Sequence, residues 1–251
     1  MRIAYTNLID AGSAPTALTA DLLYPVANMQ NQRLSKRWRS TSPTAQTIVV
    51  NLGSAQAVNT VAILGHNLSG SAAVTIEAHT SDSWGTPALS AITLTYNAGA
   101  ILKYLTTSQT FQYWRYIIDD PTNTDGYVEV GRPWLGTFIA INPSSLDAFT
   151  VTKKRSDIVT YGRDRQKYAT EGVGWRNFNL SFPRTGGSAL TSILTMYDTV
   201  GNHGSVIFSN FDSLRTWEIV EPCYASIVGE IDFSHKRNMN FTYNLTMEED
   251  R

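Results

Sequence analysis

Hydrophobic and polar positions along this chain repeat every second residue far more often than every third or fourth. Val74 and Ile76 alternate with Thr75 and Glu77, and Ile92, Leu94 and Tyr96 alternate with Thr93 and Thr95. Phe178, Leu180 and Phe182 alternate with Asn177, Asn179 and Ser181. The longest such series is Met239, Phe241, Tyr243, Leu245 and Met247, which ends in Glu248-Glu249. This period marks strands with one buried face. Two short apolar runs, 48–52 and 60–64, are bounded by Gly53 and Gly65 and predict two more strands, rich in β-branched residues that suit a pleated surface. Residues 113–118 predict an aromatic strand, and Asp125-Gly126 predicts a hairpin turn before a strand at 127–130. Runs at 206–208, 217–220 and 227–228 predict further strands. One stretch breaks the pattern. Leu190, Ile193, Leu194, Tyr197 and Val200 follow the i, i+3, i+4, i+7 rule, so a helix is predicted over 188–200, stopped by Gly201-Asn202.

The chain therefore reads as all-β with one packed helix. About 140 residues and eight or so strands complete one sandwich, and Pro143 with Ser144 and Ser145 follows the last apolar run. The predicted domains are 1–140 and 141–251, each folding by itself. Trp38, about ten residues before the first apolar run, is expected as a core anchor of the first domain.

Composition narrows the function classes. Twenty Lys and Arg stand against 21 Asp and Glu, so no global charge draws the chain to nucleic acid or to a membrane. Charged residues make up only 16%, below the usual quarter, which hints at surface covered by partner subunits. Cys223 is alone, no basic and apolar leader is evident in residues 1–20, and no apolar run reaches membrane-spanning length. A soluble, reduced protein is expected.

No catalytic pattern survives inspection: there is no Gly-x-Ser-x-Gly, phosphate loop or His-Glu-x-x-His. Gly172-Val-Gly174 lacks a third glycine and a following helix. His66, His79, His203 and His235 have no metal-ligand spacing. Asp119-Asp120…Asn123-Thr-Asp125-Gly126 looks like a calcium loop but fails the EF-hand register, so a plain hairpin is expected, with no metal and no cofactor. The reading is of a protein that is not an enzyme. Trp84, in the turn-rich loop 81–87, is the candidate for stacking on a sugar, with Arg37 and Arg39 as possible polar partners. Lys153, Lys154, Arg155, Arg163, Arg165 and Lys167 form a basic hairpin region, read as a solvated or subunit-contacting surface because Asp157 and Asp164 interrupt it.

Trp38-Arg39-Ser40, Val50-Asn51-Leu52-Gly53 and Val58-Asn59-Thr60-Val61, in this spacing, resemble the discoidin or galactose-binding-like β-sandwich, a jelly roll. That resemblance implies a sandwich for residues 1–140 and leaves a discoidin-type calcium site open. Asn28-Met-Gln-Asn31, Gly65-His-Asn-Leu68 and the closing Glu129-Val-Gly131…Leu135-Gly136 resemble the galactose-binding-like module of bacteriophage minor tail proteins. Residues 145–251 resemble the tail-tube-like β-sandwich or barrel of distal tail and minor tail proteins, although such proteins commonly place that domain first. The resemblance implies a structural protein in the virion, at the tail tip or baseplate of a long-tailed phage, made in the host cytoplasm. It would form a homo-oligomer ring, sixfold in the family, that continues the tail tube, contacts other tail-tube and tail-tip proteins, and anchors fibres. The alternative is a carbohydrate-binding module that recognises host surface glycan.

Overall fold

The computed structural model describes residues 1–141, 148–185, 187–209, 222–236 and 240–250. In chain order the strands are β1 (Arg2–Ala4), β2 (Thr16–Ala17), β3 (Trp38–Arg39), β4 (Gln46–Leu64), β5 (Ala73–His79), β6 (Leu89–Leu94), β7 (Ala100–Asp119), β8 (Glu129–Val130), β9 (Arg132–Gly136) and β10 (Phe138–Ala140). They continue as β11 (Ala148–Arg155), β12 (Ile158–Tyr161), β13 (Lys167–Thr170), β14 (Gly174–Thr185), helix α1 (Gly187–Val200), β15 (Ser205–Ser209), β16 (Cys223–Ile227), β17 (Phe233–Lys236) and β18 (Asn240–Glu249). The all-β class with a single described α-helix is the class expected from the alternation. The chain divides into two compact units, Met1–Ala140 with Val206–Tyr224, and Ile141–Ser205 with Ala225–Asp250. Val206–Tyr224, expected in the second domain, thus counts with the first. Of the expected break at 141–145 all but Ile141 lies outside the described residues, as do the strand at 217–220 and Met239.

In the first unit the runs 48–52 and 60–64 are not two strands but halves of β4. Gly53 does not end the strand. It takes φ +79° inside it, where the ladder with β7 shifts register between Asn51 and Gln56 and again between Val58 and Thr60. Such bulges bend a strand and raise its twist. Both halves contribute to one core. Ile48, Val50 and Leu52 from the first half and Val58, Val61 and Ile63 from the second join Trp38, Val74, Ile76, Ile101, Trp114, Tyr116 and Ile118 in a single buried cluster. The second half of β4 is buried on both sides: Ala62 and Leu64 pack with Ala4, Ala100, Trp134, Ile207 and Tyr224. That second cluster is closed by β1, which pairs β10 on one edge and β15 on the other, with Ile3 opposite Phe208.

The turn at Asp125-Gly126 exists, with Gly126 at φ +77°, but it does not join a hairpin. β7 stops at Asp119, and β8 pairs with β3 instead, Trp38 opposite Val130. The loop between them is held by polar side chains rather than by a ladder: Asp120, fully buried, accepts from Ser69 N (2.8 Å), Ser69 Oγ (2.5 Å) and Asn123 Nδ2 (3.1 Å).

In the second unit β14 lies between β11 and β18, and the far edge of β18 takes β17 and then Ala225–Ile227 of β16. Phe178, Leu180 and Phe182 of β14 and Tyr243, Leu245 and Met247 of β18 are buried, as their alternation requires. The rings of Phe182 and Tyr243 stack at 4.5 Å. The helix packs against β18 and buries Leu190, Ile193, Met196 and Val200, with Leu194 and Tyr197 half-buried. Met196 thus belongs to the buried stripe that the spacing rule assigned without it. Gly201, at φ +58°, returns its N–H to Tyr197 O (2.7 Å) and stops the helix. β12 and β13 form a two-stranded ribbon that pairs with no other described strand.

Candidate functional site

Trp84 stands half-buried in the loop between β5 and β6. A local bond fixes it, because its Nε1–H donates to Asp82 Oδ1 at 2.7 Å. The guanidinium of Arg115 lies over the indole ring, 4.6 Å from its centroid. Arg115 is held in turn by Glu77. These two residues oppose each other in the β5–β7 ladder and are joined by a close ion pair and by Nε–H to Oε1. Glu77 is 5% exposed, so its carboxylate depends on that guanidinium to offset lost hydration. The chain Glu77–Arg115–Trp84–Asp82 therefore sets the orientation of a surface indole from the rigid sheet beneath it. His79 and Tyr113 form the next facing pair two residues along, on the same side of the sheet as Glu77 and Arg115, and both are half-buried.

Arg37 and Arg39 flank Trp38, whose side chain is fully buried and donates Nε1–H to Thr19 O (2.9 Å). Both arginines converge on Glu129: Arg39 through Nε (2.9 Å) and Nη2 (2.6 Å), Arg37 through Nη1 (3.0 Å). The Arg39 guanidinium also lies over the rings of Tyr24 and Tyr127, 4.0 Å from each centroid. The hydrogen bond to Glu129 holds Arg39 more firmly charged than a free arginine. This group ties the 19–40 segment to β8; the partners of Trp84 are instead Asp82 and Arg115, and among the described residues no hydrogen bond or cation–π contact joins it to Arg37 or Arg39.

The six basic residues are all exposed and fall in two places. Lys153, Lys154 and Arg155 end β11, while Arg163, Arg165 and Lys167 surround the turn between β12 and β13. Arg155 pairs with Asp157 at 2.9 Å. The acidic loop spends its carboxylates on structure: Asp119 accepts from Ala45 N, Asp120 from Ser69 and Asn123, and Asp125 from Asn67 Nδ2. Among the described residues no group of three or more His, Cys, Asp or Glu is placed to hold a metal ion. His66 is set as a neutral ring, with Nδ1 accepting from Leu68 N (3.2 Å) and Nε2 lying 3.0 Å from Asn97 O. Burial lowers its pKa. No described helix is long and apolar enough to cross a membrane.

Glu77 and Arg115 were not singled out as site residues by sequence reasoning. Each is the charged residue in an otherwise alternating or aromatic strand, which is the signal that could have found them. Tyr24 and Tyr127 carry no such signal.

No family model matches this chain, and no curated protein matches it. Solved structures similar over about half of it include chitosan-binding module 1 from a chitosanase/glucanase of Paenibacillus sp. IK-5, at 23% identity, covering 53% of this chain and 100% of that one, with TM-score 0.42. The family 32 CBM of NanJ from C. perfringens, in complex with galactose, shares 15% identity and covers 54% of this chain and 98% of its own, with TM-score 0.42. A Clostridium perfringens module in complex with GalNAc-β-1,3-galactose shares 9% identity, covers 53% and 100%, and has TM-score 0.43.

Proposed function

We propose that this chain is a carbohydrate-binding protein whose first unit takes glycan at the Trp84 surface. The observation that carries the reading is the Glu77–Arg115–Trp84–Asp82 arrangement, a loop tryptophan kept at the surface in a fixed orientation instead of being folded into the core. A pre-set aromatic face suits the apolar C–H face of a sugar, and the cost of ordering it is met before the ligand arrives. Arg115 occupies one face of the indole, so a sugar stacks on the other. Asp82, His79 and Tyr113 supply polar groups nearby for hydroxyls.

A glycan array probed with the intact chain, followed by calorimetry on the best hits, tests this. Chitosan oligosaccharides, galactose and GalNAc-β-1,3-galactose are sensible first probes. Binding should be lost in Trp84→Ala with the melting temperature unchanged. An array without signal, or a Trp84→Ala protein that binds as well as wild type, removes the reading.

A second, architectural reading concerns the other unit and is compatible with the first. In it the chain is a ring-forming component of a bacteriophage tail tip. Its support is β11, which pairs β14 along its whole length and is the last described strand of its sheet, with Lys153-Lys154-Arg155 at its close. A strand edge of eight residues is a template for pairing with another chain. Its test is the place of this chain in a virion reconstruction: a single copy, or a position outside the tail, refutes it.

A further inference from the structure

We propose that the glycan surface runs on from Trp84 along β7 to Tyr113 and takes an uncharged oligosaccharide rather than a single sugar. The proposal rests on the glycan reading and names the length and charge class of its ligand. Trp114, Tyr116 and Ile118 of β7 are buried in the core cluster, so Tyr113 and Arg115 share the opposite, outer face. Trp84 lies against Arg115 on that face. Tyr113 stands two residues from Arg115, about 7 Å along the strand, a step of the order of one unit in a sugar chain. Its ring is half-buried, and among the described residues its hydroxyl makes no hydrogen bond.

The neighbours of Tyr113 across the sheet are polar, and each is already locked from within. In the ladder Tyr113 faces His79 of β5 on one side and Asn51 of β4 on the other. Directly opposed residues have Cβ atoms about 4.5–5.5 Å apart, so the three side chains form one row. His79 Nδ1 accepts from Ser81 N (3.0 Å), and a neutral imidazole that accepts at Nδ1 carries its proton on Nε2. Asn51 Oδ1 accepts from Gly53 N (2.9 Å) and from Gln112 Nε2 (3.0 Å), which spends its oxygen inside the protein. Among the described residues, His79 Nε2–H and the Asn51 side-chain amide have no acceptor. These two donors and the Tyr113 hydroxyl thus stand ready in the row next to the one that carries Trp84. Groups fixed before binding cost the complex little ordering, and a sugar rich in hydroxyls supplies their partners.

Charge sets the class of that sugar. The cation that touches Trp84 is Arg115, and its ion pair with Glu77 offsets its charge inside the protein. Asp82 adds a carboxylate at the edge of the indole, and the row of Asn51, Tyr113 and His79 holds no Lys or Arg. An acidic sugar would bring a further negative charge to Asp82 with no unpaired Lys or Arg among these residues to offset it. Uncharged hydroxyls meet no such penalty.

The test is calorimetry on the intact chain with galactose, with GalNAc-β-1,3-galactose, and with neutral array hits trimmed to one and two units. In wild type the second unit should tighten binding by about tenfold, as one aromatic contact with its hydrogen bonds would. In Tyr113→Ala one and two units should bind alike, while Tyr113→Phe, which keeps the ring, should retain part of the gain. Disaccharides that carry a carboxylate should bind several-fold more weakly than their neutral parents. Wild-type affinity that ignores ligand length overturns the extension, and this measurement needs no variant. A gain that survives Tyr113→Ala overturns it too; in either case binding that depends on Trp84 leaves the glycan reading standing. Carboxylated ligands that bind as tightly as neutral ones overturn the charge class. Absence of binding to every probe removes the extension and the glycan reading together.

Discussion

Replacing Trp38 with alanine removes one of the two tryptophans from the core to which both halves of β4 contribute. The residue is fully buried among the members of that cluster. A buried tryptophan hides about 150–250 Å², worth about 4–6 kcal/mol at about 25 cal/mol per Å². Alanine keeps part of this, which leaves a cost of about 3–5 kcal/mol including the cavity. Trp38→Phe separates packing from the polar bond. It keeps most of the ring but strands Thr19 O, which now accepts Nε1–H at 2.9 Å. Thr19 is half-buried, so water can replace part of that bond and the penalty belongs near about 1 kcal/mol, the low end for a lost partner. Hydrogen exchange on peptides from Gln46–Leu64 and Ala100–Asp119 reads both variants locally. At about 1.4 kcal/mol per tenfold, alanine should cost two to four decades of protection there and phenylalanine about one. If Trp38→Ala keeps wild-type protection and loses only a binding activity, the side chain is a ligand contact and its assignment to the core is wrong.

Fragment 1–140, made alone, should melt below the intact chain and bind a hydrophobic dye, because it lacks Ile207 and Tyr224 and bares Ala62, Leu64 and Trp134; a dye-silent fragment with the full melting temperature would count against this. Stability should fall on acidification because of His66. Its folded pKa lies below the ordinary 6.5, so the unfolded chain takes up the proton first. The loss begins as pH drops through the unfolded value and ends below the folded one. Urea melts across that window should show a shallower slope in His66→Gln, and an identical slope would remove His66 as the cause.

Much of this fold was legible because burial on one face writes itself as alternation. Val74–Ile76, Phe178–Phe182 and Tyr243–Met247 are buried where their period places them. What failed were the boundaries set by glycine. Gly53 looks like a terminator, yet it marks a bulge in a 19-residue strand. Likewise Asp125-Gly126 turns the chain without pairing its flanks. β7 was visible only at 113–118, since its middle, 106–110, is polar and largely exposed and is kept extended by the partner strand rather than by its own pattern. The candidate site was half legible. Trp84 stands out as a loop aromatic, but the residues that orient it meet through the β5–β7 register, which is a property of two strands together.

The pairing of β1 with β15 sets a schedule for synthesis. Arg2 faces Ser209 and Ala4 faces Ile207, so one edge of β1 has its partner made only about two hundred residues later. At about 5–20 residues per second that interval is roughly 10–40 s. During it β10 can already occupy the opposite edge, while the side that awaits β15 stays open. Nascent chains that stall after Ala140 would display that open edge permanently. They are the species most exposed to misassociation, whereas chains that reach Ser209 can close it.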